Sequence, residues 1–259
     1  MTFTDILALL VASVGAGAMN AMAGGGTILT YPALVFLGMP AILANSTSAV
    51  ALLPGTAASM AGFRREVVAH RSWLKTLFLP SLLGGTLGSV LLLRTPERTF
   101  ELLAPALILF ATVLFMLRGV LARRLAPAGV PDLANLSSAR WAVAAVLQLG
   151  VAIYGGYFGA GIGILMLALL GFLGLTDIHA MNGLKNFFNL CINFAAAGYF
   201  ILRGAVSWPE AAVIAIGAVM GGYGGARFSR LIGQEKARAA VVVIGLLVTA
   251  LLVWQQLGR

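Results

Sequence analysis

The sequence predicts an all-α polytopic membrane protein: two repeats in inverted topology, about five helical segments each and about 8–10 in total, with short glycine-broken helices at the centre. Three observations predict it. Of 259 residues, 60% are hydrophobic and 10% charged, against roughly 45–50% and 25% in an ordinary soluble domain. Apolar stretches of near-spanning length alternate with clusters of Gly, Pro and charge along the whole chain. The sequence also resembles itself when shifted by 136 positions.

The elements follow in order. The first apolar run, 5–22, comes after Met1-Thr2-Phe3-Thr4-Asp5; with no positive stretch ahead of it, it reads as a retained helix and not as a cleaved signal. The next run, 27–38, is far short of a span and follows Gly24-Gly25-Gly26. Each such glycine is roughly 1 kcal/mol worse than Ala in a helix, so a break is expected there. Runs at 43–62, 74–93 and 101–118 complete the first half. Between Arg118 and Arg140, Pro127, Gly129 and Pro131 stand among four arginines and read as a cytoplasmic linker. The chain thus divides into a first repeat (1–118), a linker (119–140) and a second repeat (141–259). The second half restates the order: 141–158, a short 163–174 behind another glycine-dense string, then 180–202, 209–226 and 239–256.

At the shift of 136, Gly25 falls on Gly161, Leu37-Gly38 on Leu173-Gly174, Ala44 on Ala180, Gly85 on Gly221 and Gly88 on Gly224. Charge orients the halves. Lys and Arg between apolar runs group as four (Arg64, Arg65, Arg71, Lys75), two (Arg94, Arg98), four (Arg118, Arg123, Arg124, Arg140), one (Arg203) and four (Arg227, Arg230, Lys236, Arg238). Basic loops stay cytoplasmic, so the first, third and fifth groups face the cytoplasm and both termini lie outside. The basic loop changes place between the halves, as it must when an odd number of crossings turns the second repeat over. Treating 27–38 and 163–174 as re-entrant gives instead eight spans and parallel repeats. The net charge of +9 is accounted for by these loops and calls for no nucleic-acid partner.

Two kinds of segment could carry chemistry. The glycine strings, Asn20 to Thr27 with Gly24, Gly25 and Gly26, and Gly155 to Gly163 with Gly159 and Gly161, break helices inside the bilayer. Irregular backbone there is tolerated only in protein or beside a wet cavity, and a half-helix N-terminus offers free N–H groups to an anion. Their other role is to let helices approach closely. Polar clusters then follow each short segment: Asn45-Ser46-Thr47-Ser48 in the first half; Asn182, Lys185, Asn186, Asn189 and Asn193 along one side of a helix in the second. These could be interhelical glue. Lys185 points further, because a lysine within an apolar run costs about 2.5–3.5 kcal/mol on insertion scales. It reads as an anion-binding cation, with snorkelling or an ion pair, Asp177 being the nearest acid, as the alternatives. Asp177 equally suits a helix cap near Ile178.

Pseudosymmetry is expected to gather Gly25, Gly161, Ser46, Thr47, Asn182 and Lys185 around one midplane cavity. Catalysis finds little support. No HExxH or GxSxG string occurs, paired carboxylates are absent from the apolar runs, and the single Cys191 reads as a buried thiol that rules out a disulfide framework or a Cys/His zinc site. No catalytic residue, metal or cofactor is expected.

The chain resembles the sulfite exporter family of the TauE/SafE type, the four-toluene sulfonate uptake permeases. The resemblance rests on Gly15-Ala-Gly-Ala-Met-Asn20-Ala-Met-Ala-Gly24-Gly25-Gly26-Thr27, Pro32-Ala-Leu, Gly38, Ala44 and Thr47-Ser48, and in the second half on Gly159-Ala-Gly161-Ile-Gly163, Ala180, Lys185, Asn193, Phe200 and Gly204-Ala-Val-Ser-Trp208. Many members carry a proline after the second glycine cluster; here Ala168 stands opposite Pro32, which implies a milder break in that half. The resemblance implies a secondary transporter moving sulfite, sulfonates or other small organic anions across the bacterial inner membrane, with the lipid bilayer and a small anion as partners. Protons are a candidate coupling ion, for which Asp177 could serve. A passive anion channel is the first alternative, and an intramembrane enzyme or assembly scaffold the second.

Overall fold

In the computed structural model, residues 1–23, 25–61, 63–124, 138–232 and 234–257 are described. They form helices and turns, with no strand among the described residues. The first half holds α1 (Phe3–Ala23), α2 (Thr27–Phe36), α3 (Ala41–Ala51), α4 (Leu53–Ala61), α5 (Arg64–Ala69), α6 (Arg71–Arg94) and α7 (Glu97–Arg124). The second holds α8 (Ser138–Tyr157), α9 (Ile162–Phe172), α10 (Ile178–Leu202), α11 (Trp208–Ile232) and α12 (Gln234–Leu257). Among the described residues, Phe3–Asn20, Ala41–Met60, Arg71–Arg94 and Glu97–Leu117 are long and apolar enough to cross a membrane. Phe3, Leu202 and Trp254 lie on the outside, each at least three-quarters exposed, as on a surface whose solvent is lipid.

Local chemistry sets the boundaries. α2 closes on Gly38, whose φ of +86° lets Met39 N–H reach back to Leu34 O at 3.1 Å; Pro40 then opens α3. α9 closes the same way on Gly174, with Leu175 N–H on Leu170 O at 3.0 Å. Both are glycine-terminated C-caps of the Schellman kind. The run expected over 43–62 is instead two helices separated at Leu52, because Pro54 has no N–H to return to the carbonyl four residues back. α5, inside the first basic loop, was not anticipated. Of the linker expected over 119–140, helical backbone covers 119–124 and 138–140, and 125–137 lie outside the described residues.

Glycine seams hold the bundle. Along α1 and α11, Gly217 abuts Ser13 and Gly221 abuts Val14, so these helices run in the same direction. Along α6 and α8, Gly84 meets Ala152, Gly88 meets Gly156, the Trp73 and Trp141 rings stand 5.8 Å apart, and Gln148 Nε2 donates to Ser81 Oγ at 2.7 Å; these also run together. A side chain at Gly88 or Gly221 would overlap the facing backbone, the close approach that small residues permit between membrane helices. α10 also runs with α6, through Gly85 on Ile192 and Phe78 beside Phe187. Because α8 and α10 share a direction, the short α9 carries the chain back between them. α7 and α12 run oppositely, with Thr112 at Gly245 and Gln256 Nε2 donating to Glu101 O at 2.6 Å.

Candidate functional site

Both short helices start on glycine. Gly25 has φ +133° and Gly161, the N-cap of α9, has φ +74°, backbone that L-residues rarely adopt. The two positions touch: a Cβ on Gly25 would lie 3.1 Å from Gly161 N and 3.0 Å from the Phe115 ring. Glycine at 25 therefore allows the two breaks to approach this closely, and both positions are buried. The second break carries two left-handed glycines, Gly159 at φ +77° and Gly161, and so turns the chain although Ala168 stands opposite Pro32. Glycine conformation, not proline, turns that chain. The first turns of α2 and α9 carry the positive ends of both helix dipoles, and several of their N–H groups turn back onto the glycine carbonyls: Ile28 on Gly25, Leu29 on Gly26, Ile162 on Gly159 and Ile164 on Gly161.

Asn20 braces this centre. Its Oδ1 accepts from Gly25 N–H at 3.4 Å, and its Nδ2 donates to Thr56 Oγ1 at 3.1 Å. Thr27, first residue of α2, is buried. Gly24 lies outside the described residues.

The first polar cluster is buried and largely engaged. Ser46 Oγ donates to Ala205 O at 2.6 Å, Thr47 Oγ1 accepts from Ser207 N–H at 3.0 Å, and the Ser48 hydroxyl pairs with that of Thr30. Asn45 Nδ2 donates to Tyr157 O at 2.9 Å, and its Oδ1 has no partner. On α10, Lys185 is 1% exposed and its Nζ donates to Asn182 Oδ1 at 3.3 Å. Asn186 and Asn189 are buried beside it, and Asn189 Oδ1 has no partner. Asp177 caps α10, accepting from His179 N–H at 2.9 Å. Cys191 is buried.

The structure thus joins the two glycine breaks and separates the two polar clusters. Ala205 N–H bonds Phe200 O near the end of α10, whereas Lys185 lies near its start. At 1.5 Å per residue, about 22 Å of helix separates Lys185 from Phe200, more than either side chain spans. Ser46 and Thr47 therefore do not share a cavity with Asn182 and Lys185.

One group escaped the sequence reading. Tyr31, Phe100, Tyr157 and Phe158 form an aromatic cluster, with Tyr31 edge-on to Phe158 at 5.6 Å and Phe100 edge-on to Tyr157 at 5.7 Å. Above Tyr31 opens a cavity of about 380 Å³, lined also by Met39, Glu97, Glu101, Leu252 and Gln256. Glu97 there accepts from Ile42 N–H at 3.1 Å and caps α3. The available signal was Tyr157-Phe158 set inside a glycine string, where bulky rings are out of place unless they pack across the break.

Half-helices meeting on glycine, and a lysine buried in an apolar bundle, are features of a protein that passes solutes through lipid. The family model for "Sulfite exporter TauE/SafE" matches residues 9–252. The chain belongs to the TauE/SafE family. A "Probable membrane transporter protein" of Haemophilus influenzae is 29% identical over 259 residues, covering 97% of this chain and 96% of the relative. "Probable membrane transporter protein ORF9" of a Sinorhizobium species is 23% identical, with 95% and 91% covered. "Probable membrane transporter protein YfcA" of Escherichia coli K12 is 26% identical, with 94% and 88% covered. This TauE/SafE member is a multi-pass membrane transporter, and its family points to transport and not to catalysis.

Proposed function

We propose that the protein is a secondary transporter of small anions, sulfite, sulfonates or related organic anions, working by alternating access in the bacterial inner membrane. The contact of Gly25 with Gly161 carries this reading: it sets two helix N-termini and the positive ends of their dipoles against each other inside the bundle, a field that favours an anion. Lys185 supplies a positive charge on the cytoplasmic side of that contact, and α5 packs over it, with Glu66 and Val67 against Gly183.

An inverted repeat supports the rocking cycle. α1, α2, α3 with α4, α6 and α7 each have a counterpart 136 residues on, in α8, α9, α10, α11 and α12. The α1–α11 seam is the counterpart of the α8–α6 seam, as a pseudo-two-fold requires. With α9 returning the chain, each half crosses an odd number of times, and the first helices of the two halves run oppositely. The basic loops then assign 64–75 and 227–238 to the cytoplasm.

Purified protein in liposomes, loaded with unlabelled sulfite and presented with labelled sulfite outside, is expected to give saturable counterflow. Unsaturable conductance overturns the carrier and leaves a channel. Reporter fusions near Arg65 and Arg203 are expected on opposite faces; the same face overturns the inversion.

A further inference from the structure

The buried interior offers acceptors as well as donors. Asn45 is 1% exposed, and its donation to Tyr157 O at 2.9 Å fixes the amide's orientation, since a reversed amide would set oxygen against oxygen. Its Oδ1 is therefore a carbonyl oxygen turned away from Tyr157 and left without a partner. Tyr157 stands four residues before Gly161, so this empty acceptor is tied to the loop that opens α9. Nearby, the Ala160 carbonyl is already served by the Tyr154 hydroxyl at 2.6 Å. Asn189, 4% exposed on α10, presents a second buried Oδ1 without a partner. Among the described residues Gln148 Oε1 on α8 is a further buried acceptor without a partner, but its amide is turned to Ser81 within the α6–α8 seam, away from the breaks; a buried acceptor without a partner is a cost that a donor-bearing ligand relieves.

A bare oxyanion cannot fill such a place, because it brings only acceptors and would be repelled. A ligand with an O–H or N–H beside its anionic group fits both features. We propose that the substrate is a small oxyanion carrying its own hydrogen-bond donor, with the donor read by Asn45 Oδ1 and the charge held by the positive end of the α9 dipole at Gly161. This deepens the transport reading and rests on it.

Isethionate and propanesulfonate test it, being the same chain ended by hydroxyl or by methyl, with sulfite in parallel in proteoliposomes. Wild type is expected to prefer isethionate by about tenfold or more. Asn45→Leu is expected to bring that preference close to unity by weakening isethionate alone, with propanesulfonate within about twofold of wild type. Asn45→Ala, which also removes Oδ1 and adds no bulk, gives a second reading of the same ratio should the Leu variant fail to fold. No preference in wild type, or equal weakening of both sulfonates in the variants, overturns the inference while transport stands; so does sulfite flux with neither sulfonate moving. Absence of flux for all three overturns the transport reading and the inference with it.

Discussion

The polar runs on α3 and α10 occupy matching positions in the two halves, yet the structure uses them differently. Ser46 and Thr47 bond main-chain atoms at 205 and 207 and so lock α3 to the turn between α10 and α11. The α10 run sets amides around a buried lysine, and Asn189 Oδ1, like Asn45 Oδ1 on α3, has no partner. The difference lies in hydrogen-bonding capacity. A hydroxyl has one proton, which a single nearby carbonyl satisfies; an Asn amide has two donors and two lone pairs, more than a helix surface readily matches. Short hydroxyls on a membrane helix join helices, whereas buried amides, Asn45 on α3 and Asn189 on α10, are left with an oxygen unmatched.

The largest expected effect comes from α10. Lys185→Met keeps much of the side-chain volume and removes the charge, and is expected to weaken anion affinity about hundredfold, the upper range for a charge-assisted bond. Elution and melting should stay as in wild type; near-normal affinity in a folded variant makes Lys185 structural and erases the contrast with α3. Next comes the point where the halves touch. Gly161→Ala places a Cβ at φ +74° and 3.3 Å from the Ala111 Cβ, a conformation costing about 1–2 kcal/mol. Flux is expected to fall about tenfold with the protein still assembled. Unchanged flux removes α9's opening turn from the path. The smallest effect belongs to an α3 hydroxyl: Ser46→Ala should cost about 1 kcal/mol of stability, read as a lower melting temperature, with affinity within about twofold of wild type. A loss of affinity like that of Lys185→Met would show that the two clusters do the same work.

Much of this architecture was legible because glycine and proline act locally. The breaks at Gly25 and Gly161 follow from conformational cost within a few residues, and the shift of 136 was enough to bring them together. Other features depend on partners that no local pattern reveals. Ser46 finds Ala205 159 residues away, and nothing in Asn45-Ser46-Thr47-Ser48 distinguishes a hydroxyl aimed at a ligand from one aimed at a distant carbonyl. Gathering both polar clusters at one cavity followed from symmetry alone and ignored the length of α10. Beyond Tyr157-Phe158 in its glycine string, the aromatic cluster could not be read for a related reason: in a chain so rich in apolar residues, four rings drawn from three helices and a loop carry no periodic signature. Pro54 did announce the division between α3 and α4, but the spanning length of 43–62 outweighed it.

Lys185 aligns with Ala49, so the charge lies off the axis that relates the halves. A carrier with equal halves would show each face of the membrane the same half-saturation. With its cation nearer one face, this one is expected to bind more tightly from that side. A passive cycle must offset such a difference with an opposing one in maximal velocity, so that net flow vanishes at equal concentrations. The gradient alone sets the direction of net movement, while sidedness sets the range of concentrations over which each direction responds.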